Sequence, residues 1–417
     1  MTSSVPSQIS ALFDPPEIGT CYVLPADDVS QNQGTGTASN PFRLANGVLD
    51  EAFRMMNEKR KFHRLHLYPG EYFTGGRWAF GHANGQFGRP FALTGEGPGR
   101  TSISLIGGNR QLAIAGKNRF TGVVWAGTEE DPVDGVTIAD LEILGNGLAA
   151  PAKVFVTGGV VVYGANTRIR NVRVSGLYGS EKDGMEAFGI LTNSGALSLE
   201  NGGSRIEDCD VRNNTSEYFT GIYCGHVLGP GVNANSIVTG CRVTSFGKPS
   251  NIAFSFNSRT AFRDCSATNV RYAFYNDTAP VIDVLIDGFT GDEVHYAALS
   301  IVSVDASSKS GISLINSRFN YATLRNDSIG LELWDRSGKG TFFDVLVENC
   351  SFNSSTPRFT AVSMLGSRIR NVRMLKCIVP DKAVQNLQGG AAGALSIAAL
   401  LSVSGVPIAN LKNSSAS

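Results

Sequence analysis

The chain has 417 residues with 36 basic and 36 acidic side chains, so its formal net charge at pH 7 is zero. A chain without a basic field is not expected to bind nucleic acid through electrostatic attraction. Glycine accounts for 48 residues and charged side chains for only 17%, which is typical of a protein with many turns and buried strands.

Residues 1–36 are rich in Ser, Gln, Pro and Asp, and we assign them to an N-terminal adaptor segment. The first residues have neither the basic start nor the apolar run of a secretory signal. We therefore expect synthesis in the cytoplasm without a signal peptide. The many unpaired cysteines of the chain also favour a reducing compartment during synthesis.

Residues 37–61 contain apolar side chains at helical spacing. The apolar stripe consists of Leu44, Val48, Leu49, Ala52, Phe53 and Met56. Charged residues lie off this stripe, as in an amphipathic helix. Because the end of a solenoid exposes strand edges, we predict that a helix in this region caps the first coil.

A short sequence motif, the repeat phrase, recurs along residues 62–382. In most copies a polar residue or glycine precedes a small or apolar residue, which we call the marker, and alternating side chains follow. The markers are Leu141, Val172, Cys209, Cys241, Cys265, Gly288, Ser317, Cys350 and Cys377. The intervals between markers run from 23 to 37 residues. Such intervals with period-two alternation are typical of a solenoid built from short strands. The pattern predicts an all-β parallel solenoid of roughly ten to twelve coils.

Five of the seven cysteines occupy the marker position. Equivalent positions of successive coils lie about 4.8 Å apart, so small apolar thiols are expected to stack inside the solenoid. No pair of cysteines has the short spacing of a zinc site. We predict no disulfide, no metal and no cofactor.

Three segments at the start of the coils carry a family resemblance. Residues 34–42, 65–72 and 93–103 resemble the opening coils of pectin-lyase-like right-handed parallel β-helix proteins. This superfamily includes pectate lyases, polygalacturonases, mannuronan epimerases and trimeric phage tailspikes, most of which bind or act on polysaccharides. The resemblance implies a right-handed parallel β-helix and a polysaccharide partner. The catalytic set of the galacturonases does not appear in this sequence.

Polar and aromatic side chains recur near the end of the second strand of each unit. Three aspartates in adjacent coils would lie about 5 Å and about 10 Å apart, which brackets the carboxylate separations of glycosidases. The catalytic candidates are Asp277, Asp305, Asp335 and Glu332. The glycan-binding candidates are Tyr223, His226, Tyr275, Trp334, Arg259 and Arg336. Aromatic faces and guanidinium groups suit sugar rings and uronate carboxylates.

A structural interpretation of the same residues stays open. Aspartate ends strands because it tolerates turn conformations and bonds its own backbone. The tyrosines can equally cover the sheet.

Residues 383–417 carry no charge between Lys382 and Lys412 and are rich in Ala, Leu, Ser and Gly. A membrane span needs about 20 strongly apolar residues, and the polar and turn-forming residues here argue against one. We predict a C-terminal cap or oligomerisation tail and no membrane partner.

These features favour a homotrimeric tailspike-like or adhesin-like β-helix that binds a surface polysaccharide, with or without cleaving it. We expect such a protein in a virion, as part of a phage tail, or at the cell surface or outside the cell. One alternative is a free-standing carbohydrate-active enzyme, a glycoside hydrolase before a polysaccharide lyase or an epimerase. The other is a purely structural virion or surface component.

Overall fold

The computed structural model of the chain describes a set of ranges that leaves gaps along the sequence. These are residues 19–26, 33–50, 52–53, 62–76, 79–80, 91–106, 122–127, 132–145, 158–179, 186–193, 203–214, 218–225, 235–277, 280–322, 327–355, 358–389, 394–409 and 411–413. They form two compact units, Met1–Arg212 and Asn213–Ser417.

Short strands make up the first unit. They are β1 (Thr20–Ala26), β2 (Phe42–Ala45), β3 (Arg64–Leu67), β4 (Gly70–Thr74), β5 (Ala79–Phe80), β6 (Ala92–Thr94), β7 (Thr101–Leu105), β8 (Gly122–Ala126), β9 (Thr137–Leu144), β10 (Gly158–Tyr163), β11 (Arg168–Ser175), β12 (Ala187–Asn193), β13 (Arg205–Glu207) and β14 (Asp210–Asn213), which ends at the first residue of the second unit. They pair in parallel, in the series β3–β6–β9–β11–β13, β4–β7–β9 and β5–β8–β10–β12.

The second unit contains longer strands. They are β15 (Phe219–Gly225), β16 (Ser236–Thr239), β17 (Arg242–Ser245), β18 (Ser250–Phe256), β19 (Thr260–Arg263), β20 (Ser266–Asn276), β21 (Val281–Asp287), β22 (Thr290–Ser303), β23 (Ser308–Ile315), β24 (Arg318–Tyr321), β25 (Asp327–Asp335), β26 (Thr341–Glu348), β27 (Ser351–Asn353), β28 (Arg358–Leu365), β29 (Ile369–Leu375), β30 (Ile378–Val379), β31 (Val384–Gln388), β32 (Leu395–Ala398), β33 (Leu400–Ser402), β34 (Pro407–Ile408) and β35 (Lys412–Asn413).

Three parallel sheets run through the second unit. Sheet 1 contains β17, the start of β20, the start of β22, β24, β27, β30 and β33. Sheet 2 contains β15, β18, the end of β20, the end of β22, β25, β28, β31 and β35. Sheet 3 contains β16, β19, β21, β23, β26, β29 and β32. Each coil passes through the three sheets in turn, so the predicted parallel β-helix is confirmed.

Apolar side chains of alternate strand positions fill the interior. In sheet 2 the paired residues Phe254, Phe274, Leu299 and Leu331 all have no exposed surface. Identical positions of successive strands stack side chains of similar chemistry, which is how each coil buries its apolar face against its neighbours.

A left-handed residue precedes the marker in coil after coil. The non-glycine members are Asp140, Asn171, Asp208, Asp264, Asn316, Asn349 and Lys376, with φ between 49° and 58°. This conformation bends the chain from one strand to the next, and Asn and Asp tolerate it best among residues with a side chain. Neighbouring bends are linked, since the Asn349 amide donates to Asn316 Oδ1 at 2.8 Å.

All the markers except Gly288 are buried, as predicted. The thiols of Cys209, Cys241, Cys265, Cys350 and Cys377 each donate to the carbonyl oxygen two residues earlier, at 3.2 to 3.4 Å. The Ser317 hydroxyl does the same at 2.7 Å. All seven cysteines are buried as free thiols. Their role in these bends is structural packing with a weak hydrogen bond.

One marker is assigned wrongly by the sequence. Strand pairing places Asp287 beside Arg263 and Thr290 beside Ser266, so Phe289 is the equivalent of Cys265. Gly288, with a φ of 71°, takes the left-handed position instead. The error is one residue, because glycine serves equally well as the bend residue and as a small marker.

The described residues cover only the start of the predicted capping helix. Asp50, Ala52 and Phe53 are helical, and the Phe53 N–H donates to the Leu49 carbonyl at 2.9 Å. Residues 54–61, which would complete the helix, lie outside the described residues. The described residues therefore contain no more than this helical turn, and the capping helix stays a prediction.

Parallel pairing continues into the uncharged C-terminal stretch. β32 pairs with β29, β33 with β30 and β35 with β31, while β34 turns back antiparallel to β33. None of the helical segments in the described ranges is long and apolar enough to cross a membrane. The role of this stretch as a cap or oligomerisation tail stays a prediction.

Two glycines of the first unit test how tightly the bends are packed. A Cβ on Gly127 would lie 2.2 Å from the Tyr163 carbonyl oxygen, whereas a Cβ on Gly99 meets nothing within 4 Å. Both have a positive φ, of 70° and 83°. We expect Gly127→Ala to lower the free energy of unfolding by about 1–2 kcal/mol more than Gly99→Ala does. Urea denaturation followed by circular dichroism measures both, and equal losses would contradict the close approach.

Candidate functional site

The outward face of sheet 2 carries the predicted site residues. Strand pairing aligns Tyr223, Ser255, Tyr275, Ser300 and Glu332 in one row across β15, β18, β20, β22 and β25. The residues on either side of this row point into the core, so the row itself faces outward. Tyr275 and Glu332 are thus two strands apart, or about 10 Å between their backbones.

A β-bulge reshapes this face. β20 and β22 pair at Val270 with Val294 and again at Tyr272 with Ala297, so β22 has one extra residue in this interval. The interval contains Arg271 on β20 and Tyr296 on β22. A bulge of this kind redirects side chains, and here it brings Tyr296 towards the tyrosines of β20.

Five side chains gather at the bulge, and we call them the tyrosine face: Arg271, Tyr272, Tyr275, Tyr296 and Glu332. The ring centroid of Tyr272 lies 4.9 Å from that of Tyr275 and 5.2 Å from that of Tyr296. The Arg271 guanidinium lies 5.2 Å from the Tyr272 ring centroid and 5.8 Å from the Tyr296 ring centroid. These distances are in the range of stacking and cation–π contacts.

Hydrogen bonds fix the carboxylate of the tyrosine face. The Ser300 hydroxyl donates to Glu332 Oε2 at 2.5 Å, and the Tyr296 hydroxyl donates to Oε1 at 3.0 Å. Glu332 is only 6% exposed. A buried carboxylate needs such donors to offset the loss of its hydration.

The hydroxyls of Tyr275 and Tyr296 stay protonated far above neutral pH. Burial raises the pKa of Tyr275, and the negative charge of Asp277 raises it further. Burial likewise raises the pKa of Tyr296, with a second contribution from the negative charge of Glu332. Both hydroxyls are therefore hydrogen-bond donors and not bases at physiological pH.

Asp277 belongs to the edge of this face. The Tyr275 hydroxyl donates to Asp277 Oδ2 at 3.3 Å. The negative charges of both Asp277 and Glu332 raise the pKa of Tyr275, so both carboxylates lie near this side chain. Asp277 and Glu332 are the two catalytic candidates that the structure brings to one place.

The expected row of three aspartates does not form. Asp277 follows Asn276, which pairs with Ile301, whereas Asp335 pairs with Ser303. Asp277 and Asp335 are therefore one residue out of register along the strands, so the three aspartates do not share one row. Asp305 lies beyond the end of β22.

Asp305 and Asp335 both hold turns. Asp305 Oδ1 accepts from the Ser307 N–H at 2.9 Å, and the Ser307 hydrogen bonds lower the pKa of this exposed carboxyl. Asp335 Oδ1 accepts from the Ser337 hydroxyl at 2.8 Å and from the Gly340 N–H at 3.0 Å. These contacts match the structural interpretation, in which aspartate bonds the backbone of the turn that follows it.

The other candidates are distributed along sheet 2. Trp334 is 38% exposed, and the Arg336 guanidinium lies 5.8 Å from its ring centroid. The Tyr223 hydroxyl accepts from the Asn257 amide at 3.2 Å. Arg259 occupies a turn, with a φ of 54°. His226 lies outside the described residues.

Sequence reasoning missed Arg271, Tyr272 and Tyr296. They precede the polar strand ends on which the prediction concentrated, and their meeting depends on the bulge. A pairing of the two long strands by their apolar positions would have shown the extra residue in β22, because Val270 and Phe274 have partners 24 and 25 residues later.

A smaller aromatic cluster lies in the first unit. His66 forms edge contacts with Tyr22 and Tyr68, at centroid distances of 5.4 and 5.5 Å. Its two ring nitrogens lie 3.0 Å from the Thr94 hydroxyl and 2.9 Å from a Glu96 oxygen. Within the part of the chain that the structure covers, no group of three or more His, Cys, Asp or Glu is arranged to hold a metal ion.

Comparison with known proteins gives matches of structure only. No protein-family model and no curated protein matches the chain. The catalytic domain of a GH87 α-1,3-glucanase in complex with nigerose is 14% identical, with a TM-score of 0.50 over 86% of this chain and 63% of its own. The surface adhesin PfbA of Streptococcus pneumoniae is 13% identical, with a TM-score of 0.47 over 88% and 91%. The A-module of Azotobacter vinelandii mannuronan C-5 epimerase AlgE6 is 12% identical, with a TM-score of 0.39 over 82% and 90%.

The chain spans less than two thirds of the length of the glucanase domain that it matches. At this level of identity the likeness concerns the fold and not the activity. The chain has the parallel β-helix fold that its resemblance to pectin-lyase-like proteins predicted.

Proposed function

We propose that this chain is a polysaccharide-recognising β-helix protein that binds its glycan at the tyrosine face. The observation that carries the proposal is the gathering of three tyrosine rings, one guanidinium and one carboxylate at a single bulge of a rigid sheet. Tyrosine rings offer flat apolar surfaces to the faces of sugar rings, and their hydroxyls, with Arg271 and Glu332, match sugar hydroxyls.

Rigidity supports the same proposal. Glu332 is held by two donors, and the Tyr272 ring packs between those of Tyr275 and Tyr296. A site whose side chains are already fixed loses little conformational entropy when it binds. Tyr223 and Trp334 lie along the same sheet and would extend the contact to further sugar units.

Tyr275→Ala is the direct test of this site. We expect it to lower the affinity for the bound polysaccharide about tenfold, equivalent to about 1.4 kcal/mol, because it removes one of the three rings of the face. The measurement is a glycan array followed by calorimetric titration of the best polysaccharide. Tyr178→Ala, which removes a tyrosine that is 45% exposed in the first unit, is the matched control. Equal affinities of the two variants would refute the site.

The finer form of the proposal is a homotrimeric tailspike-like or adhesin-like protein of a virion or cell surface. The uncharged C-terminal stretch supports it, because a segment without charge meets copies of itself without repulsion. Native mass spectrometry of the purified chain decides the oligomeric state. A monomer that still binds glycan would leave the binding proposal intact and remove the trimer.

An enzymatic form of the function is favoured by one observation. The charges of Asp277 and Glu332 both act on Tyr275, so a sugar bound over this ring would lie near two carboxylates. A glycoside hydrolase needs such a pair as acid and base or nucleophile. Asp305 and Asp335, tied to turns, fit this role less well.

Glu332→Gln and Asp277→Asn test the hydrolase directly. We expect each to lower turnover at least about 100-fold if the pair is catalytic. The assay is release of reducing ends from bacterial capsular and plant acidic polysaccharides, with ultraviolet absorbance reporting a lyase. Asp344→Asn, an exposed aspartate of sheet 3, is the control. Wild-type protein that binds but releases nothing would show a binding function only.

A further inference from the structure

A lysine is buried in the interior of the second unit. Lys309 lies on β23, where it pairs with Val281 on one side and Phe342 on the other. All three residues have no exposed surface. Removing an ammonium group from water is costly, so a buried lysine needs polar partners and is unusual in a core of this kind.

A chain of hydrogen bonds leads from this lysine to the outward face of sheet 2. Lys309 Nζ donates to Asn276 Oδ1 at 2.9 Å, and Asn276 Nδ2 lies 3.4 Å from Asn257 Oδ1. The Asn257 Nδ2 then donates to the Tyr223 hydroxyl oxygen at 3.2 Å. Asn276 and Asn257 are 0% and 2% exposed, so the chain runs through the interior until it reaches Tyr223.

The order of donors and acceptors along this hydrogen-bond chain is fixed. Because Lys309 is a donor only, it turns the oxygen of Asn276 inward and the nitrogen outward. The second proton of that nitrogen goes to the Phe256 carbonyl at 2.5 Å, which holds the same orientation. Asn257 therefore presents its oxygen to Asn276 and its nitrogen to Tyr223.

The Tyr223 hydroxyl oxygen therefore accepts a hydrogen bond from the Asn257 amide. Its own hydroxyl proton points away from Asn257. It occupies the same outward row as Tyr275, two strands earlier. A ring fixed in this way offers a saccharide both its face and a directed hydroxyl donor.

We propose that Lys309 is a positioning residue of the glycan-binding surface, and that it acts through Asn276 and Asn257 to fix the ring and hydroxyl direction of Tyr223. This role rests on the proposed function, while the hydrogen-bond chain itself does not. Removing Lys309 leaves the buried Asn276 oxygen without its charged donor, which is a costly state. Rotation of the amide relieves that state and withdraws the donor that holds Asn257.

The experiment is carbon-13 NMR of the full chain labelled at the ζ carbon of its tyrosines, which needs no glycan. Tyr223→Phe identifies the Tyr223 signal. Asn257→Asp, which cannot donate to Tyr223, defines how far the signal moves when the last link is lost. We expect Lys309→Met to move the Tyr223 signal in the same direction as Asn257→Asp, and to leave the Tyr296 signal in place.

Two further variants keep the test decisive. Lys309→Gln is polar but shorter, and it serves if Lys309→Met does not fold; the same movement of the Tyr223 signal is expected. Leu314→Met changes another fully buried residue of β23 and controls for general loosening of the core. The proposal is overturned if Asn257→Asp moves the Tyr223 signal and neither Lys309 variant does. It is also overturned if Leu314→Met moves that signal as far as the Lys309 variants do. Failure of glycan binding with the expected movement would refute only the proposed function.

Discussion

Phe274→Ala is expected to lower the free energy of unfolding of the second unit by about 3–5 kcal/mol. The ring has no exposed surface. Its centroid lies 4.7 Å from that of Phe289, 5.2 Å from Phe262 and 5.4 Å from Phe254. These rings come from sheet 2, from sheet 3 and from the bend that leads into sheet 1, so truncation leaves a cavity that no single strand can close.

The loss is large because the cavity lies between sheet 2, sheet 3 and the bend that leads into sheet 1. In a parallel β-helix the backbone positions are fixed by continuous ladders above and below each coil, so collapse around the missing ring is limited. Truncation also removes the edge-to-face contacts, each worth about 0.5–1.5 kcal/mol beyond the buried area.

Urea denaturation of the purified variants measures the Phe274 effect. Phe246→Ala is the matched control, because this phenylalanine of the same unit is 53% exposed. We expect its effect to stay within about 0.5 kcal/mol. A loss below about 1 kcal/mol for Phe274→Ala would mean that the aromatic cluster is loosely packed.

Lys309→Met is expected to have an effect on stability that depends on pH. Burial lowers the pKa of Lys309 from 10.5 to about 8 in the folded chain, against the partial opposing effect of Asp305 and Asp277. Between these two values the unfolded chain binds the proton and the folded chain does not. Stability therefore rises with pH through this window, since it rises wherever the unfolded state binds more protons.

Lys309 lowers the free energy of unfolding by its full amount below about pH 8, and this loss is absent above about pH 10.5. Methionine removes it at every pH. The free energy of unfolding of Lys309→Met minus that of wild type should thus be about 3 kcal/mol higher at pH 7 than at pH 10.5.

Denaturation of both proteins at pH 7 and near pH 10.5 gives that difference directly. Thiols and tyrosines of the unfolded chain also lose protons in alkaline solution, but these residues are common to both proteins. Leu314→Met should show the same change in stability at both pH values. A Lys309→Met effect that is likewise constant with pH would show that the ammonium is well solvated in the folded chain.

The repeat phrase predicted the fold because one local requirement recurs in each coil. A residue that tolerates the left-handed conformation must be followed by a small side chain that fits inside the bend, and Asp208-Cys209 and Asn349-Cys350 show both in the sequence itself. Where both positions accept glycine the pattern loses its register, as at Gly288. Fold class was therefore predictable, but the register of individual coils was predictable only in part.

The candidate site was less predictable for a physical reason. Asp277, Asp305 and Asp335 look equivalent because each follows an apolar strand, yet the length of each strand end decides where the carboxylate lies. A difference of one residue separates Asp277 from Asp335 in the strand pairing. Tyr296 joins the site through a bulge, which depends on the pairing of two strands and not on either sequence alone.

The left-handed bends also determine how this protein can be shortened or extended. The segment from one bend residue to the next, such as Asn316 to Asn349, holds one strand of each sheet between equivalent backbone conformations. Deleting or duplicating that segment joins a bend residue to the sequence that follows an identical bend, and the ladders on both sides keep their register. A cut one residue away would force a thiol or hydroxyl side chain into the left-handed position. Whole coils measured from bend to bend are thus the natural unit for gene duplication in this chain, and for engineered proteins built from it.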